Sequence, residues 1–266
     1  SKMKRAAAFV EHVGSRALVR LSGLAYALGF FYEVLKETLF FVRRKSVGIR
    51  VLTMQILFTG VEALSVIAVL SVALGAVIIV QGLSLLPQFG QGQLIYQILI
   101  TVITRELGPI LTAFIIMARS GTAITTELGT MAINHEIEAY VATGIDPISF
   151  LVVPRFLGVT ISIIILNVYF NAFGLLGSYM VTQFVRPIGF VDYFTSLLAT
   201  LGLVDVLASF IKSVVFGAII SVVATYYGFK VERSSTEIPQ MAIKSVGQGF
   251  VLLIVANAII TAVYYL

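Results

Sequence analysis

The 266-residue sequence contains no cysteine, which excludes a disulfide framework, a thiolate metal site and a cysteine nucleophile. Its two histidines, His12 and His135, lie far apart, and no further ligands stand at the spacing a zinc site needs. Charge is scarce: 12% of residues are Asp, Glu, Lys or Arg and 59% are hydrophobic, whereas a soluble domain carries about 25% charged residues. Polar side chains are too few to coat a water-facing surface, so the chain reads as an all-α, polytopic membrane protein. The apolar residues come in unbroken runs, Ala63–Val80 being eighteen residues without a charge, rather than in the alternation of a membrane β-barrel.

Recognisable catalytic motifs are missing too. No G-x-x-x-x-G-K-[ST] phosphate loop is present. Around Ser120-Gly121 the first glycine and the His–acid pair of a G-x-S-x-G nucleophile elbow are lacking. Neither histidine falls inside an apolar run. The expectation is a chain that is no enzyme, with no catalytic residue, no metal and no cofactor of its own. The net charge of +5 fits the Lys and Arg of cytoplasmic loops better than nucleic-acid binding. Glu11, Arg16 and Arg20 interrupt the apolar core that a signal peptide would need.

Residues 1–50 are expected to form an amphipathic helical region lying on the membrane surface. Val10, Val13, Ala17, Leu21, Leu24 and Leu28 recur at steps of three and four, as do Phe31, Val34, Leu35, Thr38 and Val42. Arg16, Arg20, Glu33, Lys36 and Glu37 stand opposite them, and Arg43-Arg44-Lys45 closes the region, suited to anionic lipid. The permease-like body, 51–266, carries five spans at about 51–86, 94–118, 156–184, 206–229 and 246–264. In the first, Ser71 and Gly75 form a small-xxx-small pair that lets helices approach closely. In the third, Asn167 and Asn171 share a face and are placed to hydrogen-bond across helices. Lys212 lies near enough to the end of the fourth to snorkel, and the fifth ends in Tyr264-Tyr265, an interfacial aromatic anchor. Between the third and fourth, Asp192 is expected to cap a short helix that Gly202 ends.

The longest polar interruption runs from Arg105 to Pro147. Arg105 and Glu106 fall near the middle of the second span, where an isolated charge costs at least about 2.5 kcal/mol on insertion scales. Two readings are open for them: a polar feature lining a substrate path, or a salt bridge that holds helices together. The connecting segment 119–155 contains a short helix. Asn134 is its expected N-cap, Glu136 and Glu138 fill its first turn, Gly144 ends it and Pro147 follows. Ile137, Tyr140 and Val141 share one face of it. Fifteen of the eighteen Lys and Arg fall in 1–50, 119–155 and 230–244, which places the N-terminus and segment 119–155 in the cytoplasm and the C-terminus outside.

Taken together, Arg105-Glu106-Leu107-Gly108-Pro109, Ala118-Arg119-Ser120-Gly121 through Glu127-Leu128-Gly129-Thr130-Met131, Gly144-Ile145-Asp146-Pro147 with Pro154-Arg155, and Ile211-Lys212-Ser213-Val214-Val215-Phe216-Gly217 resemble the MlaE permease family, also called YrbE-type permeases. The resemblance runs from about Gln55 to Leu266. It implies the membrane subunit of an ABC transporter in a bacterial inner membrane: a homodimer with a phospholipid pocket lined by the first, second and fifth spans of both copies. It further implies two cytoplasmic ATPase subunits, which carry the ATP and magnesium, and a periplasmic ring of MCE proteins. Residues 119–147 would contain the coupling helix that docks on the ATPase, through Glu127, Met131, Glu136, Ile137 and Tyr140. Arg105 and Glu106 would lie at the lipid pocket, which tips them towards function: Arg105 as donor to a phosphate headgroup and Glu106 as its holder. A membrane scaffold that gathers the same partners without moving lipid is the alternative. An ion or small-solute transporter is a third reading, weakened by the shortage of carboxylates inside the spans.

Overall fold

The computed structural model describes residues 29–39, 48–89, 94–232 and 234–265. The amphipathic stretches at 1–28 and 40–47, with His12 and the Arg43-Arg44-Lys45 run, lie outside the described residues. Every element among the described residues is helical. Helix α1 covers 29–39 and α2 Gly48–Gly60. A short 3₁₀ turn, Val61–Ala63, joins α2 to α3, Leu64–Leu85. The next rod comprises α4 (Leu94–Leu99), α5 (Gly108–Ile116) and α6 (Thr122–Ile133), joined by π-helical stretches at Ile100–Leu107 and Met117–Gly121. After α7 (Glu136–Ala142) a third π stretch, Ile148–Val152, leads into α8 (Val153–Val185). Then come α9 (Phe190–Thr200), α10 (Leu203–Phe229) and α11 (Glu237–Tyr265). Because consecutive long helices alternate in direction, α7 marks one end of the bundle and α9 the other.

Among the described residues, five helical rods are long and apolar enough to cross a membrane: Val51–Gln88, Leu94–Ile133, Ile148–Val185, Leu203–Phe229 and Glu237–Tyr264. They are longer than hydropathy alone indicates. The second does not stop at 118 but continues to Ile133, because the charges that seemed to end it are paired: Arg119 grips the carboxylate and carbonyl of Glu62, and Glu127 meets Arg155. Its 40 residues reach about 60 Å at about 1.5 Å each, roughly twice the ~30 Å hydrocarbon layer. Arg105 lies in the first third of this rod, toward the α9 end. The third rod begins at Ile148 rather than 156, and the connecting segment shrinks to residues 134–147.

Small residues set the packing. Ser71 and Gly75 on α3 are buried against α8, as their spacing indicates, and a Cβ on Gly75 would overlap the carbonyl oxygen of Gly174. A Cβ on Gly177 would sit 2.8 Å from Val72 Cα, and one on Gly217 of α10 2.6 Å from Thr160 Cα of α8. Backbones at such separations gain dispersion contacts along their whole length, which matters where lipid removes the hydrophobic drive between helices. Polar groups add further joints between α8 and α10 and between α6, α10 and α11. Asn167 Nδ2 donates to Ser209 Oγ (2.8 Å) and Ser213 Oγ (2.9 Å), while Asn171 Nδ2 stays on its own helix, donating to Asn167 O at 2.8 Å. Thr125 Oγ1 joins α6 to Ala224 O (3.0 Å) on α10 and to Ser245 Oγ (3.1 Å) on α11.

Turn chemistry corrects three expectations. Asn134 is not the N-cap of α7 but closes α6; His135 takes the N-cap position at φ 58°, in the left-handed region. Gly202 does not end α9 but starts α10, with its N–H donating to Asp205 Oδ2 at 3.0 Å. Asp192 lies in the first turn of α9, after Gly189 at the N-cap. At the end of α7 the reading holds: Gly144 has φ 79°, its N–H reaches Val141 O (3.0 Å) and that of Ile145 reaches Tyr140 O (2.9 Å), a Schellman closure. At that end α1 packs by Phe30 against Tyr226 and Phe229, and by Val34 against Val152 and Phe156, so its described part rests partly on the protein itself.

Gly75→Ala and Gly177→Ala should each cost on the order of 1–3 kcal/mol, since the new methyl meets backbone that cannot yield. Gly60→Ala, where a Cβ meets Ser162 Oγ at an ordinary 3.6 Å, should be tolerated. Thermal unfolding of the purified variants in nanodiscs checks both.

Candidate functional site

Pro109 is the residue from which the site is built. It has no N–H, so the carbonyl of Arg105, four residues earlier, loses its helical donor. The chain responds by widening into the π stretch Ile100–Leu107, closed by Gly108 N–H donating to Ile103 O. Gly108 is required there, because a Cβ would overlap the Ile103 carbonyl and crowd Asn167 Oδ1 at 3.2 Å. The orphaned Arg105 carbonyl then accepts from Lys212 Nζ of α10 at 3.0 Å.

Lys212 does not snorkel. It is 1% exposed, and its three ammonium hydrogens are matched by Arg105 O, Glu106 Oε2 at 2.7 Å and Thr261 Oγ1 at 2.9 Å. Snorkelling fails because the π stretch Ile100–Leu107, α5, α8 and α11 pack against α10, while a carboxylate stands within reach. Thr261 Oγ1 in turn donates to Glu106 Oε2 at 3.0 Å. Arg105, also buried, sends Nη1 to Asp205 Oδ1 at 3.2 Å, has Nε 3.6 Å from Glu106 Oε1, and lays its guanidinium over the Tyr264 ring, 4.3 Å from the centroid. Tyr264 therefore faces inward rather than serving as an interfacial anchor.

Two cations and two carboxylates from two rods thus meet with no net charge, and the fifth rod adds the uncharged Thr261 and Tyr264. Both readings of Arg105 and Glu106 find something here: the pair does hold helices together, and Glu106, whose side chain keeps 25% exposure, is the member open to the surface. Sequence inspection missed Asp205, Thr261 and Tyr264 as members. The available signal was Lys212 itself: Arg105 and Glu106 balance each other, so a further buried cation demands a second carboxylate, and Asp205 lies two helical turns away on the same helix.

The expected docking residues are spread over the α7 end. Glu127 Oε1 pairs with Arg155 Nη2 at 2.7 Å, and Arg155, buried, also donates to Leu151 O at 2.8 Å. Met131, Ile137 and Tyr140 are half-buried against the core, Tyr140 packing on Phe150 with centroids 5.2 Å apart. Glu136 is exposed and receives Asn134 Nδ2 at 3.3 Å. Val141, grouped with Ile137 and Tyr140 by spacing, is 59% exposed. Of the five, Glu127 and Glu136 are exposed, Glu127 also pairing with Arg155 and Glu136 accepting from Asn134.

Glu106→Gln should destabilise the fold by about 3–5 kcal/mol, because it leaves a buried ammonium uncompensated. Glu106→Gln combined with Lys212→Gln should recover more than half of that loss, a non-additivity that a double-mutant cycle on thermal unfolding measures directly.

The profile of the family described as Permease MlaE matches residues 52–263. A probable ABC transporter permease protein of Rickettsia typhi is 29% identical over 211 residues, 79% of this chain and 82% of that protein. The intermembrane phospholipid transport system permease protein MlaE of Haemophilus influenzae is 26% identical over 207 residues, covering 77% of this chain and 79% of its own length. The chloroplastic protein TRIGALACTOSYLDIACYLGLYCEROL 1 of Arabidopsis thaliana is 26% identical over 207 residues, 78% of this chain and 59% of that protein. The match runs from the first rod to the last, through every residue of the four-charge cluster except Tyr264, and the chain belongs to the MlaE permease family.

Proposed function

We propose that this chain is the membrane permease subunit of an ABC transporter that moves phospholipid between a bacterial inner membrane and a periplasmic MCE protein. A separate cytoplasmic ATPase, holding ATP and magnesium, drives it. The name of the Haemophilus relative supports the cargo, and the observation that carries the mechanism is the charge-balanced cluster of Arg105, Glu106, Asp205 and Lys212 at membrane depth. A phosphate headgroup approaching past Glu106 can share the guanidinium of Arg105 with Asp205, whose carboxylate also keeps the Gly202 N–H. Arg105 and Glu106 are thus the polar end of the lipid site.

The pocket is completed by a second copy of the chain. In α11 only 11% of the apolar window is buried, against 50–56% in the second, third and fourth rods. A groove of about 610 Å³ opens between α6 and α11, with Thr122, Thr126, Ile243 and Val246 in its walls. With the N-terminus cytoplasmic and the C-terminus periplasmic, α7 faces the ATPase. Glu136 meets it directly. Met131, Ile137 and Tyr140 hold α7 on the bundle, and Glu127 steadies the base of α8 through Arg155.

In vesicles with the ATPase and MCE protein, Glu106→Gln/Lys212→Gln should lower ATP-driven lipid transfer by about tenfold while the complex still assembles. Unchanged transfer would reduce the cluster to a structural part and favour the scaffold reading. Glu136→Lys should weaken ATPase co-purification about tenfold at unchanged thermal stability; full recovery of the ATPase would place the docking face elsewhere.

A further inference from the structure

Helix α9 carries three distinct stripes at the helical period. Tyr193 and Leu197 are buried in the bundle, with Thr200 half-buried beside them. Tyr193 is held by Tyr96, Tyr179 and Phe194 and by a 2.6 Å hydrogen bond between its hydroxyl and Ser178 Oγ. A second stripe, Asp192, Thr195 and Ala199, is exposed and carries the only charge of the helix. The third, Val191 and Leu198, is apolar yet 72% and 63% exposed, with Phe190 (55%) at its edge. The rods on either side begin and end in the same character: Phe184 and Val185 close α8, and Leu203 and Val204 open α10, all at least half exposed.

We propose that α9 lies in the headgroup layer of the membrane at its end of the bundle, with Val191 and Leu198 inserted among acyl chains and Asp192 and Thr195 turned to water. The proposal rests on the permease reading only for which leaflet this is. Lipid fits the apolar stripe for two reasons. The stripe is narrow, two residues two turns apart, and it is bordered directly by a polar stripe, as in a helix that lies at an interface. It is also bracketed in the chain, at both ends, by the apolar perimeter of spanning rods. Helix α9 ends at Thr200, Gly202 follows, and the carboxylate of Asp205 both accepts the Gly202 N–H and holds Arg105. The turn that follows α9 thus shares the Asp205 carboxylate with the charge cluster.

The absence of cysteine gives a clean background for the test. Single cysteines at Val191, Leu198 and Thr195, and at the exposed mid-rod residue Val168 as reference, would carry nitroxide labels in the full-length protein. The host membrane would be vesicles of phosphatidylethanolamine and phosphatidylglycerol. Collisions with oxygen should exceed those with a water-soluble nickel chelate severalfold at Val191 and Leu198, as at Val168, and the order should reverse at Thr195. Chelate-dominated collisions at Val191 and Leu198 beside a lipid-like Val168 would overturn the proposal and leave the permease reading intact. Few collisions of either kind at those two sites would overturn it in favour of a covering protein. A water-exposed Val168 would instead strike at the spanning assignment of α8.

Discussion

The contact between Lys212 and Glu106 is the constraint on which the rest of the bundle depends. An ammonium that is 1% exposed inside a membrane protein is tolerated only with its charge matched and each hydrogen placed. Glu106 supplies the charge, and Thr261 a further acceptor. The last acceptor exists because Pro109 denies Arg105 its helical hydrogen bond. The demand therefore fixes the depth of α10 against α5, the rotation of α11 that brings Thr261 inward, and the π widening that lets Arg105 turn to Asp205. Remove the proline and the carbonyl returns to its own helix; remove the glutamate and the lysine has no tenable place.

The same logic recurs at lower cost along the rods. Each of the three π stretches contains an arginine or ends within a few residues of one, and each arginine leaves its helix for a neighbour: Arg105 for Asp205, Arg119 for Glu62, Arg155 for Glu127. A π turn loosens the regular ladder and frees carbonyl oxygens, and Arg155, in the first turn of α8, donates to Leu151 O of the π stretch before it. The irregular segments are thus where the rods are bolted together, while the regular segments between them pack through Gly and Ser. Glu127 and Arg155 belong to this framework as much as to any docking surface.

Much of this was legible beforehand. Composition and long apolar runs give the all-helical, five-span class because lipid forces every backbone group into internal hydrogen bonds. The Ser71–Gly75 pair and the Asn167 joint follow from spacing, and the Schellman closure at Gly144 from the glycine and the proline beyond it. Rod ends were not legible, because hydropathy treats Arg119, Arg155 and Lys244 as terminators, whereas a paired or headgroup-level charge lets a helix continue. The cluster was half legible. Arg105 and Glu106 announced themselves by position, but Lys212 was assigned to the surface by its nearness to a span end, and Asp205 and Thr261 come from residues far away in sequence. Partners across such distances are set by packing, and no local pattern encodes them.

Helix α11 shows what that packing leaves undone. Its contacts follow one stripe at helical spacing, with Ile238 and Ala242 buried, Ser245 bonded to Thr125, Gly249 closed onto the buried Met117, Phe250 against Phe114 at 4.9 Å, Leu253 in the core, and Thr261 and Tyr264 at the cluster. Between these points Val251, Ile254, Val255 and Ile259 stand about half exposed. An apolar helix in lipid is indifferent to losing such a face, so what holds α11 in register is its polar contacts, above all those to Lys212 and Arg105. Any anion that drew Arg105 from Asp205 would disturb the guanidinium over Tyr264 at the same time. A ligand that favoured another arrangement of these contacts would shift it by no more than its differential affinity for the two.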